Sequence, residues 1–243
     1  EDGELYRSRD GGSGWTLVGS APGRPAFYDV KVNQQGTVFV SSSQGVWQYN
    51  TPAQDILING GFEASGGWEM PVTRYQASYT DDVVFDGWQA AQIGITNDGN
   101  KLAYSSARQT ITLPANTITA TLSFQLYPVS SEATLASQAE LFPTAGTEQS
   151  TATIAGDAQY GLILDPDNGE ILDTIFWELS NDQAWQMHTF DLSGYAGQTI
   201  LLHFGVYYDG LGGVTAVYLD NAALVIEQTN IWANKTFLPV VLK

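Results

Sequence analysis

Along this chain, apolar and polar residues alternate with a period of two, and the helix period never appears. Leu122, Phe124 and Leu126 interleave with Ser123, Gln125 and Tyr127, the pattern of a strand that buries one face. Strands are predicted over 73–79, 90–95, 106–113, 118–127, 159–164, 171–179, 185–192, 199–208 and 215–226. Turn signals separate them at Asn97-Asp-Gly-Asn100, Asp167-Asn-Gly169 and Asp209-Gly210. Ile56-Leu57-Ile58 is an apolar run long enough for a strand and too short for a helix, and Asn59-Gly60-Gly61 then breaks it. The expected class is all-β.

The first 50 residues carry a shorter rhythm. Gly3-Glu-Leu-Tyr-Arg7 and Gly45-Val-Trp-Gln-Tyr49 read as two copies of one strand, offset by 45 − 3 = 42 positions, near the blade length of β-propellers. Further strands are expected at Phe27-Tyr-Asp-Val-Lys-Val32 and Thr37-Val-Phe-Val40. The expected organisation is a small antiparallel sheet over 1–50, a linker over 51–55 containing Pro52, a sandwich over 56–227 and a tail over 228–243. One blade alone buries little apolar surface, so it packs on the sandwich or ends a longer array. The Ser/Thr/Ala-rich stretch 130–157 is expected to be a long loop, with one short helical turn near 135–141. The apolar run Thr236-Phe-Leu-Pro-Val-Val-Leu-Lys243 reads either as a sorting tail or as an extra edge strand.

Charge narrows the partners. Nine basic against 26 acidic residues give a formal net charge of −17. Nucleic-acid surfaces work by neutralising phosphates with Lys and Arg, so that class is excluded. The chain has no cysteine, hence no disulfide framework and no thiolate site. Its 12 Tyr, 7 Trp and 10 Phe suit a β-rich extracellular domain. No signal peptide is visible and no apolar run reaches membrane-spanning length, so the chain reads as mature, processed or a fragment.

Catalytic constellations are missing from the sequence. The two histidines, His188 and His203, lie on separate predicted strands with no His-Glu-x-x-His, and there is neither a Gly-x-Ser-x-Gly elbow nor a phosphate-cradling Gly-Lys-Ser/Thr loop. Paired carboxylates for glycoside hydrolysis stay open, because their separation is a three-dimensional fact. Asp165-Pro-Asp-Asn-Gly-Glu170 is expected to be a β-turn rather than a calcium loop. Gln125, Tyr127, Trp177, His203 and Tyr207 are candidates for one sugar-stacking platform, the alternative being ordinary half-buried strand residues.

Two resemblances sharpen these expectations. Asn59-Gly-Gly-Phe-Glu63 with Gly66-Gly67-Trp68 near the start, and Tyr218-Leu-Asp-Asn221 near the end, resemble the paired end motifs of carbohydrate-binding-module-like and MAM-like jelly rolls over about residues 55–227. Asp86-Gly87 with Ala90-Ala91-Gln-Ile-Gly94, and the stretch from Trp185 to Ile200, resemble further strands of that family. The resemblance implies a jelly-roll β-sandwich whose first and last strands clamp a structural calcium ion. The implied ligands are the carboxylates of Glu63 and Asp220, with backbone carbonyls around Asn59–Gly61 (Asn59, Gly61) and near Asp86 completing the shell. The plain alternative leaves Glu63 solvated and Asp220 capping a bend. Trp68 and Trp185 match core positions of the family. Ser8, Gly12 and Trp15, with Asp10, resemble the Asp-box hairpin of sialidase-like propellers, a folding device whose Trp packs between strands. The function implied is a non-catalytic, extracellular or cell-surface accessory domain that binds a polysaccharide or glycan. The alternatives are a structural or adhesive subunit that self-associates, and the C-terminal fragment of a secreted hydrolase.

Overall fold

The computed structural model describes residues 3–8, 11–32, 38–49, 53–97, 99–132, 156–228 and 233–235. Its first sheet runs β13 (Gln186–Asp191), β10 (Thr117–Ser130), β15 (Thr215–Gln228), β8 (Ala90–Gly94), β7 (Ser78–Thr80), with β6 (Gln54–Asp55) also on β15. The second runs β12 (Ile171–Glu178), β11 (Ala158–Leu164), β14 (Thr199–Tyr208), β9 (Ala103–Thr112). Every strand pairing is antiparallel. The two sheets close on one apolar core in a jelly-roll β-sandwich. Leu122, Phe124 and Leu126 of β10 and Leu219 and Leu224 of β15 meet Leu202, Phe204 and Val206 of β14. Phe124 and Phe204 touch edge to face at 4.9 Å.

The period-2 expectation therefore holds where strands are long, and it fails where side chains replace neighbouring strands. Ile56-Leu57-Ile58 is not a strand. Asp55 Oδ1 accepts the Leu57 and Leu224 amides at 3.0 and 2.9 Å. The buried Gln109 side chain reads the Ile58 backbone in both directions, at 2.9 Å each way. An amide side chain here does what a strand edge would have done. Gln54 and Asp55, expected in the linker, instead pair with Ile226 and Val225. Of the strand expected over 73–79, only its end is extended, as β7.

A smaller unit sits beside the sandwich. β1 (Glu4–Arg7) and β2 (Thr16–Ser20) form a hairpin, and β3 (Phe27–Val32), β4 (Val38–Ser42) and β5 (Gly45–Tyr49) form a meander. The meander's fourth strand is β16 (Ala233–Lys235), which returns from beyond the sandwich to pair with β5. Within the stretch expected to be tail, these three residues are thus part of a sheet. Arg7 reaches Glu227 at 2.8 Å, tying the hairpin to the end of β15. The Ser8 hydroxyl accepts the Gly12 amide at 2.7 Å and caps the hairpin turn. Trp15 is exposed rather than packed between strands, directly ahead of β2. Asp10, the expected helical turn near 135–141 and the run 236–243 lie outside the described residues. Among the described residues, no helix is long and apolar enough to cross a membrane.

Candidate functional site

The outward face of the second sheet is aromatic. Strand register sets Tyr104 opposite Tyr207, and Tyr160 opposite Gly205 and Trp177. Tyr160 and Trp177 stack at 5.2 Å with 17° between planes, and Tyr104 meets Tyr207 at 5.2 Å. Gly205 makes this possible: a Cβ there would lie inside the Tyr160 ring. The missing side chain lets that ring lie flat on the sheet.

His203 stands one step along β14, opposite Leu162 and Arg108. Its ring is 5.6 Å from that of Tyr160. Both of its nitrogens are buried and lack a hydrogen-bond partner. Burial, and then the charge of Arg108, pushes its pKa down to about 4. Arg108 is itself clamped by Glu69, with guanidinium–carboxylate contacts of 3.0 and 2.6 Å. Tyr104 is 54% exposed at the rim, whereas Tyr160 and Tyr207 lie in the sheet's outer cluster with Leu162 and Leu164.

The five expected platform residues do not share a surface. Trp177, His203 and Tyr207 are on this face, while Gln125 and Tyr127 are on β10 in the opposite sheet. Alternation says which residues of one strand share a side; it does not say which sheet the strand joins. Tyr127 belongs to a separate ladder with Trp185 and Tyr218, at 5.5 and 5.9 Å, and Trp185 continues to Phe85 at 5.6 Å. Trp185 is therefore half-buried on an outer face, outside the sandwich core. Trp68 is a core residue, stacked on Phe62 at 5.2 Å and donating its indole N–H to the Asn59 carbonyl at 3.0 Å. Tyr104, Tyr160 and Gly205 escaped the sequence reading. Tyr104 and Tyr160 are unremarkable strand aromatics until Gly205 is seen beneath one of them.

Glu63 and Asp220 converge on one loop, 85–89. Asp220 Oδ2 accepts the Phe85 and Asp86 amides at 2.9 and 3.1 Å, and its Oδ1 accepts Asn221 at 2.6 Å. Glu63 accepts the Trp88 amide at 2.8 and 3.0 Å and the Gln89 amide at 3.2 Å. Asp220 is fully buried. Burial first, and the nearby Glu63 charge in addition, raise its carboxyl pKa, while the three amides oppose the rise. Asp86, within the same loop, accepts the Gly87 amide on its side chain. The Asn59 carbonyl accepts the Trp68 indole N–H at 3.0 Å and the Phe62 amide at 3.1 Å, while its side-chain amide holds the carbonyls of Ala64 and Gly66. Trp88, whose backbone is so firmly held, presents an indole 82% exposed.

A third grouping was not foreseen. Carboxylate oxygens of Glu132, Asp157 and Asp209 lie within 4.8 Å of one another, close enough to hold a metal ion. The buried Asp157 accepts the Asn100 side-chain amide at 2.8 Å on each oxygen, and the Asp209 amide at 3.0 Å. Burial is the first cause that raises both Glu132 and Asp157, with neighbouring carboxylate charge adding to it. These three acids lie at the ends of β10 and β14 and just ahead of β11, far apart in sequence, so no local motif announced them.

No protein-family model matches the chain, and no curated protein sequence matches it. Solved structures do resemble it. The xylan-binding CBM22-1 domain of Xyn10C from Paenibacillus barcinonensis aligns with a TM-score of 0.46 at 16% identity, covering 74% of this chain and 99% of that one. TmCBM61, solved with β-1,4-galactotriose, gives a TM-score of 0.46 at 12% identity, over 70% of this chain and 97% of that one. The enzymatically active domain of bacteriophage CBA120 tailspike protein 4 gives 0.43 at 13% identity, over 71% of this chain and 21% of that one. With TM-scores below 0.5, the fold rests on the strand pairing itself.

Proposed function

We propose that this chain is a non-catalytic, extracellular accessory domain that binds a neutral polysaccharide or cell-surface glycan on the outer face of its second sheet. The observation that carries this reading is the pair of ring contacts, Tyr160–Trp177 and Tyr104–Tyr207, on one outward sheet face, with Tyr104 54% exposed at its rim. Aromatic faces take the C–H side of a sugar ring. Formal net charge of −17 disfavours polyanionic ligands. Affinity electrophoresis in gels carrying xylan, galactan or mixed-linkage glucan tests the reading. At least one polymer is expected to retard the protein, and Trp177→Ala is expected to weaken that retention roughly tenfold, about 1.4 kcal/mol. Retention unchanged in both Trp177→Ala and Tyr104→Ala would place binding elsewhere, and no retention by any polymer would end the proposal.

A structural calcium ion at the Glu63–Asp220 clasp forms part of the same proposal. Carboxylates from both ends of the sandwich bind the amides of one loop there, and calcium takes oxygen donors of that kind. Glu63 and Asp220 would hold the ion with Asp86 beside them, cross-linking the first and last segments. Calcium at millimolar concentration is expected to raise the melting temperature over that in EDTA, in proportion to the logarithm of free calcium once saturating. Glu63→Gln, which keeps an acceptor for the Trp88 amide, is expected to lose that response. Equal melts of the unaltered protein in EDTA and calcium would remove the ion from the account.

A further inference from the structure

The outward positions of β9 are Tyr104, Ser106, Arg108 and Thr110, which the register sets opposite Tyr207, Gly205, His203 and Leu201. β9 is the last strand of its sheet, and beyond it Glu69 alone continues the pairing, on Arg108. Tyr104 and Arg108 lie four residues apart on one side of one strand, so about 13 Å separates their backbones. Between them Ser106 is buried. Tyr104 stands exposed at one end, and at the other the Arg108 and Glu69 side chains are 33% and 64% exposed.

Holding the chain together does not require that pair of side chains. The Glu69 and Arg108 backbones already exchange both of their hydrogen bonds, at 2.8 and 2.9 Å. An ion pair this exposed adds little to stability. What it does is hold a guanidinium still. Nε and Nη2 of Arg108 donate to the Glu69 carboxylate at 3.0 and 2.6 Å, and Nη1 has no hydrogen-bond partner among the described residues. Hydrogen bonding within the pair lowers the Glu69 pKa and raises that of Arg108, so both groups stay ionised.

We propose that the Glu69–Arg108 pair reads hydroxyl groups of the glycan, at the far end of a track along β9 that begins at Tyr104. That role rests on the glycan-binding reading above, and it sets the ligand's direction and least length. A hydroxyl both donates and accepts. Neighbouring hydroxyls of one sugar can therefore take a bond from Nη1 and give one to the exposed carboxylate. An acidic sugar fits worse, because Glu69 already answers the guanidinium charge and its exposed carboxylate repels a second one. Arg108 is immobile before any ligand arrives, so little side-chain freedom is lost on binding. A ligand lying along β9 stacks on Tyr104 and reaches Arg108 at once, a span too long for a disaccharide. The ligand class is thus a stretch of neutral chain longer than two sugars.

Titration calorimetry of the intact chain with the disaccharides and hexasaccharides of xylan, galactan and mixed-linkage glucan tests this. For whichever polymer retards the protein, the hexasaccharide is expected to bind at least about tenfold more tightly than the disaccharide. Arg108→Ala and Glu69→Ala are each expected to remove most of that ratio while melting close to the parent. A ratio unchanged in both variants, with retention still weakened by Trp177→Ala, overturns the role of the pair and leaves the glycan-binding reading standing. A parent that binds both lengths equally does the same. If no polymer retards the protein, both fall. Should an alanine variant fail to fold, Arg108→Lys or Glu69→Gln takes its place, since each keeps the side chain's reach and breaks the charged fork. The same loss of ratio is expected, and an unchanged ratio refutes the pair.

Discussion

Gly60→Ala is expected to destabilise the protein by about 3 kcal/mol or more, whereas Gly61→Ala next to it is expected to be neutral or to gain about 0.5 kcal/mol. A Cβ on Gly60 would fall inside the carbonyl oxygen of Ala222 and 2.8 Å from its carbon. The obstacle is backbone in the middle of β15, and a rotamer change cannot relieve it. The same approach carries a hydrogen bond, from the Ala222 amide to the Gly60 carbonyl at 2.9 Å. At Gly61 a Cβ meets only Glu63 Cγ, at 3.8 Å. Urea titration of the two variants checks the contrast. Equal midpoints would mean that the turn at 59–61 is not pressed against β15 in solution.

The second large effect is pH dependence through His203. Its folded pKa of about 4 lies below the ordinary 6.5. As pH falls through 6.5 the unfolded chain therefore takes up a proton that the folded one refuses. The stability tied to this group is full above about pH 6.5 and is lost progressively down to about pH 4, a total of roughly 3 kcal/mol. Glu132, Asp157 and Asp220 act in the opposite sense. Their raised folded values make the folded state take protons first, so acidification favours it. The comparison with His203→Leu isolates the histidine. Leucine fits beside Leu162 and relieves two buried unbonded nitrogens. The variant is expected to match or exceed the parent at pH 7, and to gain on it by roughly 3 kcal/mol at pH 4. Parallel pH profiles for the two proteins would show that His203 is solvated rather than buried neutral.

Both predictions sit on features that a linear reading sees only in part. Asn59-Gly-Gly-Phe-Glu63 is conspicuous as a string, yet nothing in the string says that one glycine tolerates a methyl group and its neighbour does not. That distinction comes from Ala222, more than 150 positions away. Asp220 and Glu63 could be singled out because resemblance supplied them. What they hold, the amides of a five-residue loop, appears only once both ends of the sandwich meet on it. For the aromatic face the sequence marked Trp177, His203 and Tyr207 and wrongly joined them with Gln125 and Tyr127.

The all-β class, most strand positions and the one-sided burial of β10 come from the chain's own alternation, because a pleated strand turns every second side chain to the same side. The acidic balance and the lack of cysteine likewise set limits on partners before any folding. Which sheet each strand joins is a matter of long-range pairing, and local pattern carries no information about it. Tertiary structure alone therefore put Gln125 and Trp177 on opposite faces, laid Tyr160 over Gly205 and gathered Glu132, Asp157 and Asp209. It also returned β16 across the sandwich to finish a sheet begun at Phe27, about 200 residues earlier.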